Sequence, residues 1–275
     1  MSYPPGIYPG ISNRDYHADP ALGSTSLKTL ALKTPAHYLH DKQHPKFSDA
    51  FTLGTAAHSL ILEGDTSSIV VVEADNWLTK AAKEAKAAAL ADGKQPLLTK
   101  EWVQVQAMRD AVMNHEVASQ YFTNHKAEQS VFWAEDGLML KCRPDAWLPG
   151  VIVDLKTTVD ANPNEFGKTA FNYGYFMSAA HYIDGVKAAT GEDVKFVFVN
   201  VEKTAPYLVS VTEIDDVALD YGRQMLGRAK RIHAECTAND RWPGYPTTEP
   251  VGLPMYAFYQ MDDLLGLNKE TEISF

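Results

Sequence analysis

RPDAWLPGVIVDLKTT, residues 143–158, is the stretch that decides how this chain is read. Pro149-Gly150 is a turn signal. On either side of it lie short runs of apolar and β-branched residues, so the stretch predicts two neighbouring β-strands joined by a tight connection. Asp145 falls near the end of the first strand. Asp154 and Lys156 fall two residues apart on the second, so their side chains share one face of the sheet while Leu155 points the other way, into the core. Charged groups in a strand reading V-I-V-D-L-K are costly to bury unless they pair with each other or serve a bound ion. A bare D-x-K pair also suits a structural ion pair. Asp145, one turn earlier, adds a second carboxylate to the same face, and two converging carboxylates make an oxygen-rich pocket suited to Mg²⁺, with the Leu155 backbone carbonyl as a further ligand. The chemistry that fits is phosphodiester hydrolysis: Lys156 orients or deprotonates the attacking water and stabilises the transition state.

Outward from this stretch the pattern is mixed. Upstream, AEQSVFWAE (127–135) and LMLKCRPDAW (138–147) read as strands joined at Asp136-Gly137, a hairpin signal. With 151–158 they make three antiparallel strands. Downstream, 164–190 reads as helix with Gly191 as its stop, 194–203 and 207–214 as strands, and Asp215 to Glu235 as a long helix. Residues 1–23, rich in Pro, Gly and Tyr, read as an extended arm. Ser24 or Ser26 is the expected cap of a helix through LKTLALKT, and a short helix over AHYLHDK follows, with Pro35 in its first turn. Further helices are expected over Asp49–Glu63, 75–92 and 99–119. The whole predicts an α/β domain, a mixed central sheet flanked by helices. Its organisation is a single domain over 1–275: a mostly helical region to residue 120, a core at 121–235, and a Pro- and aromatic-rich tail at 236–275 that packs over the core.

Composition narrows the class. A hydrophobic share of 45% is enough for a sizeable core and excludes a disordered chain. No run of roughly 18 apolar residues is present, so no membrane helix is expected, and the N-terminus lacks the basic and apolar regions of a secretory signal. The two cysteines, Cys142 and Cys236, have no spacing that suggests a thiolate metal site and read as free thiols. Gly-x(4)-Gly-Lys-Ser/Thr is absent, which argues against a P-loop ATPase. A net charge of −10 weighs against a protein that coats DNA, but not against an enzyme with a locally positive track.

P-D-x(8)-D-L-K resembles the signature of the PD-(D/E)XK nuclease superfamily, with Asp154 at the acidic position. Other segments resemble its RecB-like branch: Gly54-Thr-Ala-Ala-His58 its G-x-x-x-H element, Asp154-Leu-Lys-Thr its D-x-K-T segment, and residues 173–185 the helix that carries Q-x-x-x-Y. The opening YPGISNRDYH…STSLKTLALKTPAHYLH and the late RWPGY resemble the RecE-type (exonuclease VIII) family of phage and prophage exonucleases. This resemblance implies a restriction-endonuclease-like core. It implies a Mg²⁺-dependent exodeoxyribonuclease, with Mn²⁺ as substitute, that degrades linear double-stranded DNA 5′→3′ and leaves 3′ single-stranded tails for recombination by strand annealing. It further implies a RecT-like single-strand annealing partner, a homo-oligomeric ring of three or four subunits around DNA, and a place in the cytoplasm of a bacterial host. Within this pattern His58 joins the catalytic and metal-binding residues. Where the family has Gln this chain has Ser178, four residues before Tyr182, and the shorter side chain points to altered DNA handling. An endonuclease of the same superfamily and a catalytically weak DNA-binding or assembly module are the alternatives.

Further candidates come from position. Glu128, on the strand before that of Asp145, is an additional acid for the metal centre or an edge-strand surface carboxylate. Lys141 and Arg143 alternate on the strand leading to Asp145 and are candidates for phosphate contacts, as are Lys28 and Lys33 on the first helix. Ser178 and Tyr182 complete the expected DNA-binding set.

Overall fold

The computed structural model describes residues 2–44, 53–246 and 250–267. The expected arm holds a strand, β1 (Gly6–Tyr8), and a helix, α1 (Asn13–Ala18), capped by the Ser12 side chain, which accepts from the Asp15 N–H. Helix α2 (Ser24–Leu32) begins after Gly23 rather than after a serine cap. Helix α3 (Pro35–Gln43) has Thr34 as its cap and Pro35 in the first turn, the position where a missing N–H costs nothing. Helix α4 (Leu53–Leu62) follows; residues 49–52 of the helix expected there lie outside the described residues. Strand β2 (Ile69–Val72), helix α5 (Lys80–Ala91) and strand β3 (Gln95–Leu98) form a small unit in which the two strands pair in parallel. The sequence reading missed these strands, because each is four residues long and carries no alternation. Helices α6 (Thr99–Asn114) and α7 (Ala118–Tyr121) complete the helical half.

Strands β4 (Lys126–Ala127), β5 (Ser130–Glu135), β6 (Leu138–Cys142), β7 (Ala146–Leu148) and β8 (Val151–Thr158) then run in succession. Asp136 and Gly137 both have positive φ, 50° and 78°, and close the β5–β6 hairpin as a two-residue loop. Helices α8 (Pro163–Tyr173) and α9 (Tyr175–Thr190) replace the one helix expected over 164–190; Gly174, at φ 63°, breaks it. Strands β9 (Lys195–Glu202) and β10 (Val209–Glu213) and helix α10 (Asp216–Asn239) follow, and helix α11 (Met255–Leu265) ends at Gly266. The chain divides into two compact units, Met1–Trp242 and Pro243–Phe275, the second containing α11. No helix among the described residues is long and apolar enough to cross a membrane. Both cysteines are free and buried.

The strands do not form one continuous antiparallel run. Five make a mixed sheet in the order β10-β9-β8-β7-β4, with β8 and β9 parallel, and three make a separate antiparallel sheet, β1-β5-β6. Between β4 and β7 the chain changes sheets twice, at residues 128–129 between β4 and β5 and at 143–145 between β6 and β7. The five-stranded sheet is covered on both faces. On one face Ile152, Phe196 and Phe198 meet Leu27, Leu30, Met177, Ala180 and Leu226 from α2, α9 and α10. On the other Val153, Leu155, Val197 and Val199 meet Ala56, Leu60, Val105 and Met108 from α4 and α6. This is the mixed sheet between helical layers that the order of predicted helices and strands implies.

Close packing of α9 on the smaller sheet depends on Gly185, where a Cβ would stand 2.5 Å from the Trp133 ring. Gly167, inside α8, faces open space. Gly185→Ala is therefore expected to destabilise the fold by about 1–3 kcal/mol through overpacking. Gly167→Ala is expected to stabilise it by about 0.5–1 kcal/mol through helix propensity. Urea denaturation of the two variants checks both signs, and equal effects would contradict this packing.

Candidate active site

Strand β8 lies between β7 and β9, with Asp154 opposite Phe198 and Lys156 opposite Asn200. Asp154 and Lys156 share the α9 face with Ile152, as period-two alternation requires, and their side chains form an ion pair. Asp145 reaches the same region from the irregular link between β6 and β7. Its Oδ2 accepts a hydrogen bond of 2.7 Å from the Leu155 N–H and stands 3.2 Å from His58 Nε2. His58, on α4, donates from that same nitrogen to the Leu155 carbonyl at 2.8 Å. The expected carbonyl ligand and the expected carboxylate ligand thus converge on one imidazole N–H.

Glu128 enters at the other sheet switch, where its N–H bonds to the Asp145 carbonyl at 3.1 Å. Its φ is +50°, a left-handed conformation that costs an ordinary residue on the order of 1–2 kcal/mol. This turn of the backbone carries Glu128 to the centre: ligand atoms of His58, Glu128 and Asp145 lie within 4.8 Å of one another. Asp154 lies outside that group, beside it, its carboxylate held by Lys156. Of the two places the sequence left open for Glu128, the structure gives the one beside Asp145 and His58. An imidazole from α4 and two carboxylates from the two sheet switches, with a third carboxylate adjacent, match the nitrogen and oxygen donors that a divalent cation takes from proteins.

The charges perturb one another. Burial acts to lower the pKa of His58, but the charge and hydrogen bond of Asp145, the Leu155 carbonyl and the charge of Asp154 outweigh it, raising the value from 6.5 to about 9. Burial acts to raise Asp145, and the imidazolium of His58, its hydrogen bond and Lys156 bring it below the ordinary carboxylate value instead. Glu128 is pushed from 4.5 up to about 7 by burial and by Asp145, against His58 and Arg143. Asp154 is raised by burial and by Asp145 despite Lys156. Lys156 is raised because Asp154 and Asp145 overcome its burial. The site is an acidic cluster held together by a protonated imidazole and an ammonium.

The other expected residues divide. Lys28 reaches the site region: its ammonium donates to the Tyr173 carbonyl at 3.2 Å, and burial followed by the charge of Lys156 lowers its pKa. Lys33, after the end of α2, stays exposed. Tyr182 packs edge-on against Phe196, and its phenol is pushed well up by burial, with contributions from the charges of Asp154 and Asp145. Ser178 lies between Tyr175 and Tyr182 at helical spacing on α9, and is half-buried. Lys141 and Arg143, expected to reach phosphates, point inward. Lys141 donates to the carbonyls of Tyr16 and Asp19 at 2.5 and 2.8 Å. Arg143 donates to Ser130 Oγ at 2.9 Å and to the Ile11 carbonyl at 3.0 Å, and faces Glu128 at 3.8 Å. Both lie over the Tyr16 ring. Their cationic heads fasten the N-terminal arm and steady Glu128, because strand alternation places them on a face that α1 covers. Tyr175 was missed by sequence reading: Lys156 stands 5.3 Å over its ring. Gly174, a breaker inside a predicted helix, was the available signal.

The comparisons with known proteins agree with this architecture. A family model described as a PDDEXK-like domain of unknown function (DUF3799) matches residues 23–249. No curated protein matches the chain. A solved structure of a candidate exonuclease from Eubacterium rectale is 16% identical, covers 92% of this chain and 97% of its own, and has a TM-score of 0.58. A phage-related exonuclease from Haemophilus somnus is 12% identical, covers 80% and 96%, and has a TM-score of 0.34. At 16% identity the first likeness speaks to the fold; the second overlays too loosely to carry an argument.

Because His58 is raised, the folded state binds its proton more tightly than the unfolded chain does. The resulting stability is fully present below pH 6.5 and is lost as pH rises through about 9. In EDTA, the His58 ring resonances are expected to titrate near pH 9, and Asp145→Asn to return the midpoint to the ordinary histidine range or below. An NMR titration unmoved by that substitution would show that the two side chains do not interact as described.

Proposed function

Because the chain belongs to the DUF3799 family of PDDEXK-like domains, we propose that it is a divalent-metal-dependent deoxyribonuclease that hydrolyses phosphodiester bonds beside Asp145, Asp154 and Lys156. The observation that carries this is the meeting of Asp145, Glu128 and His58 within 4.8 Å, next to the Asp154–Lys156 pair. Asp145 and Glu128 are the carboxylates that would hold the ion, with His58 as nitrogen donor and Asp154 flanking them. When bound, the cation neutralises charge on the phosphoryl group and acidifies the attacking water. The proton on His58 competes with it, since Nε2 engages both the Asp145 carboxylate and the Leu155 carbonyl, so the affinity for metal rises with pH.

Lys156 serves as a cation rather than as a base. Its ammonium is favoured by the two aspartates, so it positions the water and stabilises negative charge developing on the phosphate. Asp154 fixes its direction. Asp145, locked by the Leu155 N–H, needs no reorganisation when substrate arrives.

The finer reading is an exonuclease acting 5′→3′ on linear duplex ends and leaving 3′ single-stranded tails for annealing. It uses Mg²⁺, with Mn²⁺ as substitute, works with a RecT-like annealing partner in a ring of three or four copies, and is encoded by phage or prophage in the bacterial cytoplasm. The RecE-type resemblance supports this. The net charge of −10 is reconciled with this reading if the cations face an inner channel.

The test is a digestion of duplex labelled at either end, alongside a covalently closed circle, in Mg²⁺, Mn²⁺ and EDTA. Linear DNA is expected to shorten from its 5′ ends only with metal, and the circle to survive. Asp154→Asn and Lys156→Met are each expected to lower kcat by about a hundredfold or more while the folded structure persists by circular dichroism. Cleavage of the circle at the linear rate would replace the exonuclease with an endonuclease, and an Asp154→Asn variant of undiminished rate would remove the site assignment.

A further inference from the structure

Beside the candidate active site, three aromatic rings form a ladder that the hydrolytic chemistry does not use. Phe198 lies in the sheet, directly opposite Asp154 on β9. Tyr175 stacks on it with ring centroids 5.5 Å apart and planes at 25°. Tyr173 stacks on Tyr175 at 5.5 Å and 20°. These are offset-stacked geometries. The ladder starts fully buried and ends in solvent, with Tyr173 64% exposed. It spans the kink at Gly174, whose left-handed backbone lets residues on two successive helices place their rings on one stack.

Two cations flank the ladder. Lys156 stands 5.3 Å over the Tyr175 ring and Lys28 5.9 Å from it, while Lys28 also donates to the Tyr173 carbonyl. Tyr173 is thus one ring beyond the ring that the candidate catalytic lysine touches. A solvated tyrosine ordinarily gains little by being held in a fixed orientation. Here its backbone carbonyl is tied to Lys28 and its ring to Tyr175, so a flat π-face is presented outward at a defined place.

We propose that Tyr173, supported by Tyr175, is a stacking platform for an unpaired nucleobase of the DNA strand whose phosphate lies at Asp145, Asp154 and Lys156. This rests on the nuclease reading above. A planar base continues the ladder as its fourth member, and Lys28 and Lys156 offset the charge of the adjoining phosphates. Every base has a π-face, so such a platform holds a strand without reading its sequence. It also favours a base that has left its pair, which makes the frayed end of a duplex a better occupant than its interior. Tyr173 is a positioning residue: it touches substrate next to the reacting group, not at it.

The experiment uses the full chain and a single-stranded oligodeoxynucleotide carrying 2-aminopurine at one terminus or the other, titrated in EDTA so that binding is read without cleavage. Quenching of the fluorophore at one terminus is expected. Tyr173→Ala is expected to abolish the quench and weaken binding about tenfold, and Tyr173→Trp to retain both. With metal, Tyr173→Ala should raise KM on linear duplex several-fold and leave kcat nearly unchanged. If Tyr173→Ala binds and quenches as the unaltered protein does, the platform is refuted, and continued cleavage by the unaltered protein shows that the nuclease reading survives. If the unaltered protein quenches but cleaves no DNA, the platform stands and the nuclease reading falls. Absence of both binding and cleavage overturns the two together.

Discussion

One carboxylate organises the centre of this molecule. Asp145 accepts the Leu155 N–H and faces His58, and His58 returns to the Leu155 carbonyl. The three residues come from a link between two sheets, from a central strand and from a helix on one face of the sheet. A closed set of hydrogen bonds therefore fixes three segments of the chain relative to one another at a single point. Charge-assisted bonds of this kind are stronger than neutral ones, and burial makes leaving either partner unsatisfied costly. Removing the Asp145 carboxylate would orphan the Leu155 N–H and leave His58 with the Leu155 carbonyl alone.

The geometry exists because the chain leaves one sheet for another at two places. A regular antiparallel ladder would pair every backbone group and alternate every side chain, and would leave no room for acids to converge. At residues 128–129 and 143–145 the ladder stops, and Glu128 and Asp145 sit at those two breaks, joined by one backbone hydrogen bond. The left-handed backbone at Glu128 is the local cost. Arg143, anchored to Ser130 and to the arm at Ile11, holds the corner in place. The N-terminal arm, with Tyr3, Tyr8 and Tyr16 around Phe132, is a support for this corner.

Electrostatics gives the site its character. Burial first, and the neighbouring charge of Asp145 after it, make Glu128 and Asp154 hold protons more tightly than usual. His58 and Lys156 offset part of the repulsion from Asp145 as cations. A divalent ion placed among the same groups would relieve it more completely, which is the physical reason such a cluster attracts one. The same lysine, seen from its other side, lies over Tyr175, so the candidate active site and the aromatic ladder share a charge.

Much of this was legible in the residues alone. Apolar and β-branched runs bounded by turn signals set strands β8 and β9, the Asp136-Gly137 and Pro149-Gly150 turns set the hairpins, and the two-residue spacing of Asp154 and Lys156 required a common face, because strand geometry has a period of two whatever surrounds it. The short connection between neighbouring strands also placed Asp145 next to β8, where its carboxylate accepts from the Leu155 N–H. Other features depend on contacts between residues far apart in sequence, which no local pattern encodes. Period-two alternation shows that Lys141 and Arg143 are on opposite faces from their neighbours, but not that α1 covers that face, so it cannot distinguish a phosphate-binding cation from a buried one. Nor does it reveal the change of sheet that brings Glu128 to Asp145, the reach of His58 from α4 to the Leu155 carbonyl, or the stacking of Tyr173 and Tyr175 across Gly174. Local spacing determined which side chains could share a face; only the tertiary structure decided which faces meet, because that choice is made by long-range packing.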